Sequence, residues 1–217
     1  VLPVIWCRAW AGRLGSGCRA GGVRRRWTLA RLPASAEQGG IIPPMTIHVV
    51  VMGVAGCGKS AVGRRVAAAL ALPMVEGDDF HPPANVERMR QGVALTDADR
   101  AGWLAQLGDV LQQHPAGAVL SCSALKRAYR DTLRSALPGL RFVYLHITPA
   151  ESQRRVADRP GHFYPPSLVT SQFEALQDPA GEAGVLTLDG AQALDEVAAR
   201  AVGWLRPATD PRGPAGR

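Results

Sequence analysis

The chain has 217 residues, of which 47% are hydrophobic and 20% are charged, so it is long enough and apolar enough to bury a core. This composition excludes a wholly disordered chain, and since no run of 18 apolar residues occurs, no transmembrane helix is predicted. The formal net charge of +7 is typical of proteins that bind nucleic acids or membranes, so the position of that charge has to be established.

The excess positive charge lies almost entirely in residues 1–44. This segment carries seven arginines and one acidic residue, Glu37, and contributes +6, whereas residues 45–217 contribute +1. Its apolar run is too short for a secretory signal, and a transit peptide fits its arginines but not its lack of an amphipathic stripe. We therefore expect a basic extension outside the domain, with Met45 as the natural start.

From Thr46 the chain alternates between apolar segments rich in β-branched residues and segments with apolar residues at helical spacing. The predicted strands cover 47–54, 73–76, 118–122, 141–147 and 185–188. The predicted helices cover 59–72, 84–91, 96–114, 125–137, 149–158, 168–177 and 191–205. This order predicts an α/β domain over residues 45–206, with a parallel five-stranded sheet flanked by helices, followed by a loose tail over 207–217.

The first predicted strand leads into the pattern G-x-x-x-x-G-K-S. Its glycines let the backbone wrap around a phosphate, its lysine neutralises β- and γ-phosphate charge, and its serine hydroxyl binds Mg²⁺. Because a buried strand precedes the pattern and a helix follows it, we predict a nucleotide-binding loop. The residues predicted to bind the nucleotide are Gly53, Val54, Ala55, Gly56, Cys57, Gly58, Lys59, Ser60 and Ala61.

Acidic residues follow the second predicted strand, at the edge of the sheet where parallel strands place their loops together. A kinase needs a carboxylate here to orient the acceptor hydroxyl and take its proton, or to hold Mg²⁺. We predict Asp78 for this role, with Ser60 as the other Mg²⁺ ligand, and Asp79 stays an alternative. His81 either binds substrate or only fixes the loop.

The loop after the third predicted strand lacks the aspartate that many phosphate-loop proteins use to help hold Mg²⁺, which argues against a generic ATPase or GTPase. The next helix has a cationic face that is either an anion site or a solvated surface, formed by Lys126, Arg127, Arg130 and Arg134. Lys126 and Arg130 lie nearest the end of the strand, and we predict that they bind substrate.

A mobile lid is expected over residues 154–163. Arginines on a lid clamp the transferring phosphoryl group and help exclude water, which competes as an acceptor. Arg155 and Arg159 are the two candidates for this clamp.

The four cysteines, Cys7, Cys18, Cys57 and Cys122, have neither metal-ligand spacing nor the arrangement of a disulfide framework. This pattern predicts a reducing compartment, the cytoplasm.

Taken in order, these segments resemble the gluconate kinases, over about residues 46–205. Beside the phosphate loop, the resemblance rests on Asp78-Asp79-Phe80-His81-Pro82, Asn85-x-x-x-Met89, Gly92-x-x-Leu95-x-Asp97-x-Asp99-Arg100-x-x-Trp103-Leu104, Cys122-Ser123-Ala124-Leu125-Lys126-x-x-Tyr129-Arg130, Gly161-His162-Phe163 and Ser171-Gln172-Phe173. Cys57, where these enzymes usually carry serine, and Pro160 before Gly161 depart from the family pattern.

The resemblance implies a nucleoside-monophosphate-kinase-like P-loop fold with a lid, ATP and Mg²⁺ as cofactors, and a homodimer. It also implies phosphorylation of D-gluconate to 6-phospho-D-gluconate, in carbohydrate acid catabolism. Lys59, Asp78 and Arg159 are then the expected catalytic residues. The residues expected to bind gluconate are Asp78, His81, Lys126 and Arg130.

Three alternatives are open at this point. Another small-molecule kinase of the same fold, such as a shikimate kinase, shares the phosphate loop but is disfavoured by the Asp-Asp-x-His-Pro and Ser-Ala-Leu-Lys segments. A nucleic-acid-binding module would use the basic residues 1–44, but the charge of the body is balanced and we expect no nucleic-acid or membrane partner. A nucleotide-dependent switch would bind ATP without transferring phosphate.

Overall fold

The computed structural model of the chain describes residues 46–158 and 166–206. The predictions made for residues 1–44, for Arg159 and Gly161-His162-Phe163, and for the tail over 207–217 lie outside these residues.

In the part of the chain that the structure describes, five parallel strands form one sheet, as the alternation of elements predicted. The strands are β1 (Ile47–Met52), β2 (Met74–Glu76), β3 (Gly117–Ser121), β4 (Arg141–His146) and β5 (Val185–Asp189), in the spatial order β2-β3-β1-β4-β5. In the central register Val50 of β1 lies opposite Leu120 of β3 and Phe142 of β4. Because β1 has a neighbour on each side and helices on both faces, Val49 to Met52 are fully buried, which explains their apolar run.

Among the described residues, seven α-helices connect and cover these strands. They are α1 (Lys59–Leu70), α2 (Pro83–Arg90), α3 (Asp97–Gln112), α4 (Arg127–Ala136), α5 (Pro149–Ala157), α6 (Val169–Ala175) and α7 (Leu194–Leu205). Each corresponds to a predicted helix, with ends that differ by a few residues. Two 3₁₀ turns, Gly77–Phe80 and Pro166–Leu168, were not predicted.

The side chains of β1 divide the core into two layers. Val49 and Val51 point to one face, where they pack with residues of α1 and α7, including Val66 and Ala201. Val50 and Met52 point to the other face, where they pack with residues of α3 and α4, including Trp103, Leu107 and Leu133. The alternation of successive strand side chains therefore produces the three-layer arrangement of helices, sheet and helices.

Local sequence fixes the start of α3 through a capping box formed by Thr96 and Asp99. Thr96 Oγ1 accepts a hydrogen bond from the Asp99 N–H, and Asp99 Oδ2 accepts one from the Thr96 N–H at 2.8 Å. These bonds satisfy two N–H groups at the start of the helix. The helix therefore begins at Asp97, which places Arg100 in its first turn.

All five strands run in the same direction, so their carboxyl ends and the loops that follow them lie along one edge of the sheet. Within the described ranges, no helix combines the length and the apolar character that crossing a membrane requires.

Candidate active site

A cavity of about 390 Å³ opens at the carboxyl edge of the sheet. It lies between the phosphate loop, the turn after β2, the start of α3 and the helices α5 and α6. The described residues that line it are Ala55, Gly56, Gly58, Lys59, Ser60, Ala61, Arg64, Asp78, His81, Met89, Arg100, Ser123, Arg155, Val156, Asp158 and Gln172. The cavity thus collects residues from the loops after β1, β2 and β3 and from the helices α1, α2, α3, α5 and α6.

The phosphate loop runs from the end of β1 to the first turn of α1. Gly56 and Gly58 have φ angles of 74° and 98°, a left-handed conformation that glycine adopts without a steric penalty. No atom lies within 4 Å of a Cβ built on Gly58, so the loop leaves open space on that side. Lys59 Nζ donates to the Val54 carbonyl at 3.0 Å, which holds the ammonium group over the loop.

Six of the nine predicted nucleotide-binding residues line the cavity, but the side chains of Val54 and Cys57 do not. Both are 1% exposed and belong to the core beneath the loop. Burial also raises the pKa of the Cys57 thiol, so the thiol stays protonated. Gly53 lies below the loop as well, where its N–H donates to the Ser123 carbonyl at 3.3 Å. Any contact of these three residues with a nucleotide is therefore limited to their backbone.

The 3₁₀ turn after β2 separates the two neighbouring carboxylates. Asp78 is half-buried and lines the cavity, whereas Asp79 is exposed and is not among its lining residues. The turn lies tightly against the loop after β3, because a Cβ on Gly77 would come within 2.5 Å of the Ser121 carbonyl oxygen. Trp103 Nε1 also donates to the Gly77 carbonyl at 2.8 Å, which ties the turn to α3.

His81 follows this turn and is held face to face with an aromatic ring of α3. Its ring stacks on Trp103 with centroids 4.1 Å apart and an interplanar angle of 17°. Burial lowers the pKa of His81 to about 4, an effect that outweighs the charge of Asp78, which favours the protonated form. Its Nδ1 is buried without a hydrogen-bond partner among the described residues. His81 is therefore a neutral group in the wall of the cavity at neutral pH.

A smaller cavity of about 80 Å³ adjoins the first, and Met89, Arg100 and Gln172 line both. Lys126 lines only the smaller one, where its Nζ contacts Asp97 Oδ1 at 2.6 Å. The Tyr129 hydroxyl donates to the same carboxylate oxygen. These two hydrogen bonds lower the pKa of Asp97, so Lys126 is paired with a carboxylate that stays ionised.

Arg130 requires a correction, because its side chain is fully buried and lines neither cavity. Its guanidinium forms an ion pair with Glu182 and donates to the carbonyls of Ala124, Leu125 and Gln177 at 2.9–3.1 Å. Helical spacing put Arg130 on one face with Lys126, but Glu182 draws it toward the core. The prediction that Arg130 binds substrate was wrong.

Arg155 lines the cavity but is engaged by protein groups. Its guanidinium donates to Glu151 at 2.6 Å, to the Gly190 carbonyl at 3.0 Å and to the Gly56 carbonyl at 3.4 Å. These bonds connect α5 to the phosphate loop and to the loop after β5. Arg159, the other predicted clamp, lies outside the described residues.

Arg100 belongs to the family pattern, but the sequence predicted no role for it. It lines both cavities, and its guanidinium lies 5.9 Å from the centre of the Tyr129 ring. No ion pair to Arg100 occurs among the described residues, in contrast to Lys126. The sequence did contain a signal that Arg100 faces inward, because Arg100 continues the apolar stripe of Trp103, Leu104 and Leu107 at helical spacing.

Gln172 and Arg64 were also not predicted as site residues. Gln172 occupies the buried side of α6, and its Oε1 accepts a hydrogen bond from the Ala55 N–H of the phosphate loop at 2.6 Å. Arg64 lies one turn into α1, on the exposed side, and lines the larger cavity. No cluster of three or more potential metal-ligating His, Cys, Asp or Glu side chains occurs in the part of the chain that the structure describes.

Comparison with known proteins adds evidence that is independent of this geometry. The family model of shikimate kinase matches residues 55–178. The chain is 45% identical to a gluconokinase of Gluconobacter oxydans, with 69% of this chain and 85% of the relative aligned. It is 41% identical to the thermoresistant gluconokinase of Escherichia coli, with 70% of this chain and 90% of the relative aligned. A crystal structure of a gluconokinase from Sinorhizobium meliloti is similar in fold, with a TM-score of 0.68, 47% identity and coverage of 73% of this chain and 91% of that one.

Proposed function

The chain belongs to the gluconokinase family, within the wider group of shikimate-kinase-like P-loop kinases, and we propose that it transfers the γ-phosphoryl group of ATP to D-gluconate in the cavity described above. The observation that carries this proposal is the convergence of Lys59, Ser60, Asp78 and Arg100 on one cavity of a chain with this ancestry. The product is 6-phospho-D-gluconate.

The nucleotide phosphates bind to the phosphate loop. The open space beside Gly58 and the ammonium of Lys59 fit a chain of phosphates, and the start of α1 adds the favourable N-terminal end of a helix dipole. Ser60 and Asp78 supply the oxygen atoms that Mg²⁺ prefers, and both line the same cavity. A bound Mg²⁺ would neutralise charge on the phosphates, with Ser60 and Asp78 as its protein ligands.

Asp78 faces the acceptor and has the chemistry to prepare it for attack. Its carboxylate accepts a hydrogen bond from the primary hydroxyl of gluconate, turns that oxygen toward the γ-phosphorus and takes its proton as the new P–O bond forms. The bond to the leaving oxygen of ADP breaks on the opposite side. Lys59 contributes by holding the phosphates in line with the acceptor.

Within the described ranges, Arg100 is the cation best placed for the gluconate carboxylate. It lines both cavities and has no ion pair among the described residues, whereas Lys126 is already paired with Asp97. An arginine fork binds a carboxylate through two parallel hydrogen bonds. Lys126 and the neutral His81 then contact hydroxyl groups of the same substrate.

Three further features are proposed from the family resemblance alone. Arg159 approaches the transferring phosphoryl group, the enzyme is a homodimer, and it acts in the cytoplasm. Light scattering of the purified protein at several concentrations tests the dimer, and kinetics of Arg159→Ala test the arginine. A monomer, or an unchanged kcat, would remove the corresponding proposal.

Shikimate is the alternative acceptor that the matching family model suggests. The gluconokinase relatives align over 85% and 90% of their own length at identities above 40%, which favours gluconate. The two acceptors differ in shape, since shikimate carries its carboxylate on a ring and gluconate is an open chain.

The deciding experiment measures ADP release by the full chain with ATP and Mg²⁺. Gluconate, shikimate and a nucleoside monophosphate are supplied separately as acceptors, and Lys59→Ala serves as the inactive reference. We expect release of ADP that depends on gluconate and is lost in Lys59→Ala. Release with shikimate but not gluconate, or ATP binding without any acceptor-dependent release, would overturn the proposal.

A further inference from the structure

Gln172 connects the phosphate loop to the part of the cavity where the acceptor is proposed to bind. The residue is 8% exposed and lies on α6, and its Oε1 accepts a hydrogen bond from the Ala55 N–H at 2.6 Å. A backbone N–H can only donate, so this bond requires the oxygen of the amide at Ala55. The Nε2 group is therefore the end of the side chain that is free to donate elsewhere.

Ala55 is held on its other side as well. Its carbonyl accepts a hydrogen bond from Ser152 Oγ on α5 at 2.7 Å, and Ser152 is fully buried. The backbone of the loop at Ala55 is thus fixed by two helices. Because Ser152 already helps to hold the loop at Ala55, the Nε2 group of Gln172 is available for a second contact.

The position of Gln172 suggests what that function is. It lines both the larger and the smaller cavity, a property that it shares only with Met89 and Arg100 among the described residues. Nε2 has no hydrogen-bond partner among the described residues, although the group carries two N–H donors. An acceptor that spans the two cavities beside Arg100 would bring hydroxyl or carboxylate oxygens to this amide.

We propose that Gln172 is an acceptor-binding residue, which donates from Nε2 to an oxygen of the polyhydroxy acid while its Oε1 holds the phosphate loop. This inference rests on the proposed function, because gluconate is the acceptor it names. It predicts that one uncharged side chain sets the distance between the acceptor and the phosphates. Arg100 supplies a positive charge to the same substrate, and the amide of Gln172 supplies a hydrogen bond that orients it.

Two substitutions separate the two ends of the amide. Gln172→Glu keeps an oxygen that can accept from the Ala55 N–H but removes the donor, whereas Gln172→Met removes both. We expect the gluconate KM to rise by about threefold to tenfold in Gln172→Met, the effect of one lost hydrogen bond, and by at least as much in Gln172→Glu, whose negative charge also repels the carboxylate of the acceptor. The affinity for a non-hydrolysable ATP analogue, measured without gluconate, is expected to change less than the gluconate KM.

A matched control is present in the same part of the chain. Gln177 Oε1 also accepts a backbone N–H, that of Arg127, at 2.6 Å, but Gln177 lines neither cavity. Gln177→Glu and Gln177→Met make the same chemical changes, and we expect them to leave the gluconate KM within twofold of the unmodified chain. Thermal unfolding of all four variants shows whether each is folded. If Gln172→Met does not fold, Gln172→Glu decides whether Nε2 binds the acceptor, because it retains an oxygen that accepts from the Ala55 N–H.

Two outcomes of these measurements would overturn the inference. A gluconate KM in Gln172→Glu equal to that of the unmodified chain would overturn the inference, because the donor would then be unused. Equal losses of affinity for gluconate and for the nucleotide analogue would also overturn it, since Gln172 would then only brace the loop. An unmodified chain without gluconate-dependent turnover would instead refute the proposed function, so the two failures are distinguishable.

Discussion

At the scale of single residues, a 3₁₀ turn gives two adjacent aspartates different surroundings. In this turn successive side chains point about 120° apart, so only one of a neighbouring pair can face a given cavity. Asp78 lines the cavity and Asp79 is exposed to solvent. The sequence alone favoured Asp78 without excluding Asp79, since both follow the same strand.

Asp78→Asn is expected to lower kcat by about a hundredfold or more, because the amide cannot take the proton of the acceptor hydroxyl. The KM for ATP should change less, since the phosphate loop is untouched and the asparagine keeps an oxygen that can still bind Mg²⁺. Steady-state kinetics with ATP and gluconate measure both values. Asp79→Asn is the control, and its kcat should stay within twofold of that of the unmodified chain. Comparable losses in the two variants, or full activity of Asp78→Asn, would contradict the assignment.

His81 illustrates how burial changes the chemistry of a side chain. Its pKa falls from the ordinary value of 6.5 to about 4 because the ring is removed from water against Trp103. Between pH 6.5 and 4 the unfolded chain therefore takes up a proton at His81 that the folded protein excludes. Stability contributed by this residue is lost as the pH falls through that window.

His81→Phe should flatten this dependence, because phenylalanine keeps the ring stack on Trp103 but does not titrate. The free energy of unfolding is measured by urea denaturation of both proteins at several values between pH 7 and 4. We expect the variant to gain stability relative to the unmodified chain as the pH is lowered. Parallel curves would show that protonation of His81 is not linked to folding. The carboxylates are present in both proteins, so their contributions to the pH dependence of the unfolding free energy cancel in this comparison.

At the scale of elements, a buried ion pair holds the loop after β3 in place. Glu182 accepts hydrogen bonds from Arg130 and, at 2.9 Å, from Arg134, and these arginines lower its pKa. Arg130 in turn donates to the carbonyls of Ala124 and Leu125. Ala124 has a φ of 43°, a left-handed conformation that is costly for a non-glycine residue and is sustained here by these bonds.

Glu182→Ala should destabilise the protein by about 3–5 kcal/mol, because it leaves the fully buried guanidinium of Arg130 without a counter-charge. Asp195→Ala is the matched control, since it breaks the exposed pair of Asp195 with Arg65, whose side chains are 76% and 55% exposed. That loss should be about 1 kcal/mol or less. Urea denaturation at pH 7 measures both. Equal losses would mean that the Arg130–Glu182 pair contributes no more than a surface contact.

The same ion pair shows where prediction from sequence stops. Strands and helices were predictable because periodicity and caps are local, as in the apolar run of β1 and the Thr96 capping box. The burial of Arg130 was not predictable, because its partner Glu182 is 52 residues away and no local sequence pattern indicates the pair. Helical spacing correctly put Arg130 one turn after Lys126 but did not say which face the core would take.

The candidate site was predictable to the extent that it depends on loops at strand ends. The phosphate loop and Asp78 follow β1 and β2 directly, so the parallel sheet brings them together. Gln172 was missed because it reaches Ala55 from 117 residues further along the chain. Arg100 could have been found, since a cation within an apolar helical stripe has to face either the core or a site.

At the scale of the whole molecule, the net charge of +7 is divided unequally between the basic segment and the domain. Residues 1–44 contribute +6 and residues 45–217 contribute +1. Within the domain, positive groups such as Lys59, Arg64 and Arg100 are nevertheless gathered around one cavity. This arrangement suits two anionic substrates, and it does not depend on the net charge of the chain.

Deletion of residues 1–44 should therefore leave catalysis unchanged. Every described residue that lines the cavity lies between Ala55 and Gln172, and β1 begins at Ile47. We expect kcat and the gluconate KM of the 45–217 chain to stay within twofold of the full chain. Any affinity of the full chain for DNA or RNA should weaken with added salt and disappear on deletion, because seven arginines are removed with the segment. A large loss of turnover in the shortened chain would show that residues 1–44 contribute to the kinase itself, and nucleic-acid binding that survives the deletion would place a second anionic partner on the domain.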